Sequence, residues 1–272
     1  MGPEKISIKT NGGLSAEIAV PPPALNRDSV FVFALHKSGS VLLDNIVQDL
    51  CAVAKVPVIS IDLFCFNSGL PVEQVTAESV EALLNSPGYC FAGFRGVHGF
   101  LDRVDLSRRR KVVLVRDPRD ILTSFYFSMA KSHAIPQDGE MRDRLLASRE
   151  QANVTSIDAY VFSSQVGHIA RNYRRFIALE GETTKVYRYE DVIFDKANWV
   201  KSIAQWLSLD VGEADAERIA RKHDIRPADE NPDRHIRQVA PGNYKKHLAP
   251  ETVRRLNEQY ADVMAHFNYS ID

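Results

Sequence analysis

Two short stretches of this chain end an apolar run in side chains that grip anions. Residues 31–40 read FVFALHKSGS, and residues 111–120 read KVVLVRDPRD. In the first, Lys37 brings a full positive charge and Ser38 and Ser40 bring hydroxyls. Gly39 lets the backbone come close to a ligand. A helix starting there would add unpaired N–H groups and a positive dipole end. The same residues fit an ordinary strand-to-helix turn with Ser40 as N-cap, and the stretch alone favours neither. Lys37 stands before Gly39, and no earlier glycine precedes it, so the chain lacks the GxxxxGK[ST] loop of nucleoside triphosphatases. In the second stretch, Arg116 supplies a planar fork of donors suited to phosphate. Pro118 suits a first helical turn. Ser124 follows Arg116 by eight residues, about two turns into that helix. The alternative there is an Arg–Asp ion-pair corner that caps the helix.

Both stretches need strands to carry them. SVFVFAL (29–35), VPVISI (56–61), YCFAGF (89–94), KVVLV (111–115) and KVYRY (185–189) are the strand candidates, several of them unbroken apolar runs. Apolar spacing predicts helices over 40–54 (Val41, Leu42, Ile46, Val47, Leu50), 119–131, 157–180, 196–207 and 213–223. A last helix over 250–267 carries a stripe of Val253, Leu256, Tyr260, Met264 and Phe267. Strands alternating with helices imply an α/β fold in three layers: a central, mainly parallel sheet flanked by helices, with right-handed crossovers. Such sheets bind ligands at the carboxyl ends of their strands, where Lys37 and Arg116 both fall. Pro21-Pro22-Pro23 closes an N-terminal extension, residues 1–28, with a strand or hairpin around 4–20. Residues 29–272 form a single domain. Residues 131–155 are polar and weakly periodic and read as a lid or rim loop.

The 272 residues are 44% hydrophobic and 25% charged, with a formal net charge of −1. No global field favours nucleic acid or an anionic membrane, so any anion must be held by a local cluster. Cys51, Cys65 and Cys90 form no CxxC pair and suit a reduced, cytoplasmic setting. The N-terminus has no apolar signal core, and Ile6 stands where a myristoylation motif needs Ser or Thr. No run of about 18 apolar residues offers a membrane span. No His, Cys, Asp or Glu set has zinc-like spacing, so no metal is expected. Arg108-Arg109-Arg110-Lys111 reads as a solvated turn. Arg171, Arg174 and Arg175 read as a surface or ion-paired helix face.

Taken together, LHKSGSVLL and KVVLVRDPRDILTSFYF resemble the sulfotransferases that use 3′-phosphoadenosine 5′-phosphosulfate (PAPS). The resemblance implies a P-loop-like architecture. In it Lys37, Ser38, Gly39, Ser40 and Val41 bind the 5′-phosphosulfate, and Arg116 with Ser124 binds the 3′-phosphate. YRYEDVIFD (187–195) is similar to the family's Tyr-Glu-Asp strand end and places Tyr189 near the adenine. RQVAPGNYK (237–245) looks like the C-terminal segment that closes over the 3′-phosphate, with Arg237 carried over. The resemblance covers roughly residues 29–267. The chain departs from the common pattern at Leu35-His36 (often Tyr-Pro), Leu42 (often an adenine-stacking Trp), Gln238-Val239 (often Lys-Gly) and Tyr244 (often Trp). These departures suggest a divergent, bacterial-type member.

The implied activity is transfer of a sulfuryl group from PAPS to a hydroxyl or amine, leaving 3′-phosphoadenosine 5′-phosphate (PAP), without a metal. Such transfer asks the protein mainly to position groups and to stabilise charge on the transferring oxygens. Lys37 is expected to do the latter. A base must take the acceptor's proton, and histidine suits that task near neutral pH. GFRGVHGFLDRVDL (93–106) matches the family's Lys-Thr-His-Leu-Pro-like turn, with His98 on its histidine and Arg95 as a nearby cation. His36 and His235 are the rival bases. The acceptor is a small molecule, lipid or saccharide, with a pocket drawn from loops near 62–80, 95–105 and 131–155. Phe64, Phe66 and Leu70 are possible apolar lining. A nucleotide-dependent phosphotransferase on a related scaffold, or a nucleotide-binding protein with altered catalysis, are the alternatives.

Overall fold

A computed structural model describes residues 3–132, 140–225 and 239–271. At its N-terminus, β1 (Glu4–Lys9) and β2 (Ser15–Val20) form an antiparallel hairpin, within the span where a strand or hairpin was expected. Alternation along these strands turns Ile8, Ile18 and Val20 inward, onto the same core as Phe31 and Phe91.

The apolar runs become the sheet. β3 (Val30–Ala34), β4 (Val58–Ile59), β5 (Cys90–Phe94), β6 (Lys111–Val115) and β7 (Thr184–Arg188) pair in the order β4-β5-β3-β6-β7, all parallel. β3, β5 and β6 are buried throughout, because both faces of a parallel sheet are covered. Along β3, Phe31 and Phe33 point to one face while Val30, Val32 and Ala34 point to the other. The second face is covered by α1 (Ser40–Val53), α9 (Lys196–Trp206) and α10 (Glu213–Lys222). The first is covered by α2 (Ile61–Asn67), α3 (Ala77–Asn85), α4 (Pro118–Phe127), α7 (Gly167–Ala178), α12 (Pro250–Gln259) and α13 (Ala261–His266). The result is the expected three-layer α/β architecture. Short helices α6 (Ile157–Tyr160), α8 (Tyr189–Val192) and α11 (Tyr244–His247) connect these layers, with α5 (Glu140–Val154) beside α4. Among the described residues no helix is long and apolar enough to cross a membrane.

Several elements differ from expectation, each for a local reason. VPVISI yields only the two residues of β4, because Ser60 caps α2 by accepting the N–H of Leu63 at 3.4 Å. The inward stripe of α1 is Leu43, Ile46, Val47 and Leu50, while Val41 is 45% exposed. The lid expected over 131–155 is instead helical in its later part, α5, which has no continuous apolar face to betray it. Residues 133–139 of that expectation lie outside the described residues. The helix expected over 157–180 breaks into α6, a tight turn at Ser164–Val166, and α7. The last helix breaks at Tyr260. Lys111 is not solvated. It is 1% exposed, and its ammonium donates to the Arg109 carbonyl at 3.1 Å and to Thr183 Oγ1 at 2.8 Å. Burial pushes its pKa down to about 8.

Candidate active site

Five residues carry the chain from β3 into α1. Two of them adopt left-handed backbone, Lys37 with φ 64° and Gly39 with φ 91°. Gly39 is needed on both counts, since a Cβ there would lie 2.9 Å from Cδ2 of Tyr189. Gly39, not Ser40, is the N-cap of α1. No side chain caps the helix and its first turn has no acidic residue, so the Ser40-cap reading falls. Ser38 is wholly buried, and its hydroxyl donates to the Leu35 carbonyl at 2.7 Å. Its proton shapes the loop. Ser40 is buried, Lys37 half-buried, and Val41 lies exposed at the rim.

β6 lies beside β3 and delivers Arg116 to this loop. Arg116 Nη1 donates to the Lys37 carbonyl at 3.2 Å, and Nη2 faces Asp120 at 3.3 Å. Tyr189, at the end of β7, presents its ring centre 4.5 Å from the guanidinium carbon. Arg116 Nε is enclosed without a partner. Burial works against the Arg116 charge; Asp120, then Tyr189 and Glu190, outweigh it and lift the pKa above the usual arginine value. Asp120 is fully buried and accepts the N–H of Gly242 at 2.7 Å and of Tyr244 at 3.0 Å. The Tyr189 hydroxyl donates to the Val239 carbonyl at 2.8 Å. The described part of the closing segment is thereby tied to both Arg116 and Tyr189. Arg237, Gln238 and His235 lie outside the described residues. Ser124 sits half-buried on α4.

The Arg–Asp corner exists, but other residues build it. Asp117 caps α4, accepting the N–H of Arg119 at 2.9 Å and pairing with its guanidinium at 2.6 Å. Arg119 also reaches the Ser270 carbonyl at 2.7 Å and stacks over Tyr244. Arg116 pairs instead with Asp120 and reaches the loop through the Lys37 carbonyl. Glu190 links the ends of β6 and β7, accepting the N–H of Asp117 at 2.8 Å.

On the other side of β3, β5 ends in the turn that holds Arg95 and His98. Asp62, in the first turn of α2, offers Oδ2 to two groups. It accepts the N–H of Arg95 at 2.8 Å and lies 3.0 Å from His98 Nε2. The His98 ring stacks on Phe100, 5.2 Å between centres. Arg95 pairs with Asp44 of α1. Burial pushes the Asp44 carboxyl up, with Arg95 pulling it back. His36 instead packs edge-on against His168, at 5.8 Å, and Phe125, at 6.3 Å. Burial lowers the pKa of His168. Leu70 joins the core, whereas Phe64 and Leu63 line a groove of about 520 Å³ at the β4 edge.

Sequence reasoning passed over Asp62, Asp120 and His168. Asp62 follows the VPVISI run directly, at the carboxyl end of a strand, which is a usable signal. Asp120 stands four residues after Arg116, the spacing of neighbours on one helical face. His168 carries no signal of its own.

Residues 27–268 match the family model of the sulfotransferase domain. No curated protein sequence matches. Among solved structures, the mouse sulfotransferase SULT7A1 complexed with PAP aligns with a TM-score of 0.57 and 16% identity, over 89% of this chain and 86% of that one. Retinol dehydratase in a complex with retinol and PAP aligns with a TM-score of 0.53 and 16% identity, over 96% and 90%. Both share the three-layer fold. The family match runs over nearly everything after the proline triplet, including the Lys37 loop, Arg116 and Tyr189, and the chain belongs to the sulfotransferase domain family.

Proposed function

We propose that this chain transfers a sulfuryl group from PAPS to a hydroxyl or amine of an acceptor, leaving PAP. The observation that carries this is the meeting of two anion-binding features: the uncapped start of α1 behind Lys37, and Arg116 bonded at 3.2 Å to the Lys37 carbonyl. Two adjoining sites suit a nucleotide with separate 5′ and 3′ phosphate groups. The residues fit such a nucleotide. Arg116 keeps an enclosed, unpartnered Nε, and the start of α1 carries no side-chain cap.

PAPS supplies the activated sulfuryl group when bound. Lys37, Ser38, Gly39, Ser40 and Val41 would hold its 5′ end, Arg116, Ser124 and Arg237 its 3′-phosphate, and Tyr189 its adenine side. Ser38 works through the loop shape it sets. Lys37 balances negative charge that builds on the transferring oxygens and the leaving phosphate. His98 takes the proton that the acceptor gives up. The acceptor is a small molecule, lipid or saccharide. Three buried free cysteines fit a reduced, cytoplasmic setting.

Labelled PAPS incubated with a panel of alcohols, phenols, amines and saccharides tests the reading, and label is expected on an acceptor. Thermal unfolding with PAP, ATP and GTP adds a second test, since a bound ligand raises apparent stability. A shift with ATP and none with PAP overturns the reading in favour of a phosphotransferase. A PAP shift with no transfer across the panel leaves a nucleotide-binding protein.

A further inference from the structure

His98 and Asp62 come from separate elements, the β5 turn and α2, yet they meet at 3.0 Å. Their side chains are 15% and 10% exposed. This shields the contact from water, where such bonds weaken, and leaves His98 an open edge. We propose that Asp62 is the positioning residue of the base, fixing which nitrogen of His98 takes the proton. The proposal rests on the sulfuryl-transfer reading above.

Donors and acceptors around Asp62 decide the tautomer. A carboxylate only accepts hydrogen bonds. Asp62 Oδ2 already accepts the backbone N–H of Arg95 at 2.8 Å, which pins it in place. His98 Nε2, facing that oxygen, must therefore carry hydrogen, and the lone pair of the neutral ring sits on Nδ1. No protein group among the described residues bonds Nδ1. The Phe100 ring, tilted by 21° and 5.2 Å away, keeps the imidazole from turning. Asp62 thus holds one tautomer and one ring orientation, the part a buried carboxylate plays beside a catalytic histidine elsewhere. In the reaction, the acceptor's O–H or N–H proton passes to Nδ1. The electron pair it leaves forms the new bond to sulfur. The pair of the broken S–O bond stays with PAP. The imidazolium formed then faces a carboxylate at hydrogen-bond distance.

The network continues behind the pair. The Arg95 guanidinium pairs with Asp44, and Asp44 lies one turn along α1 from Ser40. Burial pushes the Cys65 thiol of α2 up to about 12, so it stands beside this cluster as a neutral group. Asp62 is the only carboxylate that contacts His98 among the described residues.

Nuclear magnetic resonance of ¹⁵N-labelled histidine tests the assignment without PAPS or acceptor. The neutral His98 ring is expected as the Nε2–H tautomer, and that preference is expected to be lost in Asp62→Ala, which leaves no acceptor at Nε2. An Nδ1–H tautomer in the unsubstituted chain overturns the proposal, and it does so even if every Asp62 variant fails to fold. In turnover, Asp62→Asn is expected to lower kcat by about 100-fold or more, while KM for PAPS stays within about threefold. Adding Asp62→Asn to His98→Ala is expected to cost nothing further. A kcat within about threefold of the unsubstituted chain, or additive losses, overturns the proposal. Failure of the unsubstituted chain to transfer sulfate would instead strike the sulfuryl-transfer reading, and the tautomer would still be read.

Discussion

Asp120 accepts the backbone N–H of Gly242 at 2.7 Å, across 122 residues of chain. The same carboxylate faces Arg116 at 3.3 Å. One enclosed charge therefore serves both the arginine at the end of β6 and the backbone that returns over it.

Removing that charge should be costly. Asp120→Ala leaves Arg116 buried and unpaired and strands two N–H groups. Breaking a buried pair typically costs about 3–5 kcal/mol. Urea unfolding is expected to show a loss of about 3 kcal/mol or more, and the thermal shift with PAP is expected to vanish. An unchanged urea midpoint would show that this carboxylate does not hold the two parts together.

Gly39→Ala strains the loop twice, through its φ of 91° and through the 2.9 Å approach to Tyr189. A left-handed backbone at a residue with a Cβ costs about 1–2 kcal/mol, and the Tyr189 ring must also give way. Isothermal titration is expected to show PAP binding weakened by about tenfold or more. Binding as tight as in the unsubstituted chain would mean that the loop can relax.

Much of this was legible in the residues. The unbroken apolar runs made β3, β5 and β6 readable, because a parallel sheet leaves no polar face. The Lys37 and Arg116 loops were readable because charge at the end of a buried strand is unusual. The phase of α1 was readable in its later turns, Ile46, Val47 and Leu50, but not in its first, where Leu43 is buried and Val41 exposed. Helix α5 was hidden because its residues lack a stripe, and the breaks near 161–166 and at Tyr260 are set by tertiary packing. Asp62 and Asp120 find their partners at separations of 36 and 122 residues. Nothing in local spacing encodes such meetings.

Lys37→Ala is expected to act on rate. Removing a charge aimed at developing negative charge costs about 10²–10³ in kcat. The His98 tautomer should be untouched, because that pair hangs from β4 and β5. Single-turnover assays at saturating PAPS measure the loss, and a kcat within about threefold of the unsubstituted chain would remove Lys37 from the chemistry.

Lys111 makes stability depend on pH. Its pKa falls from 10.5 in the unfolded chain to about 8 in the fold. Between those values the unfolded state binds more protons than the folded one, so stability rises with pH. Below about 8 both states are protonated and the contribution is flat. Melting temperatures from pH 7 to 10.5 are expected to include a rising component that Lys111→Met removes. A variant with the same slope would show that other groups set it.

Strand order divides the site. Arg116, Asp120 and Tyr189 depend on β6 and β7, while Asp62, Arg95 and His98 depend on β4 and β5. α1 and the loop before it touch both halves, through Lys37 with Arg116 and Asp44 with Arg95, and so does α7, whose Tyr173 hydroxyl donates to the Arg116 carbonyl and whose Asn172 amide donates to the Arg95 carbonyl. Lineages descended from one ancestor can therefore inherit the nucleotide grip unaltered while the opposite half drifts towards new acceptors. The border that such drift must respect runs through Arg95, held by Asp44 at its guanidinium and by Asn172 at its carbonyl.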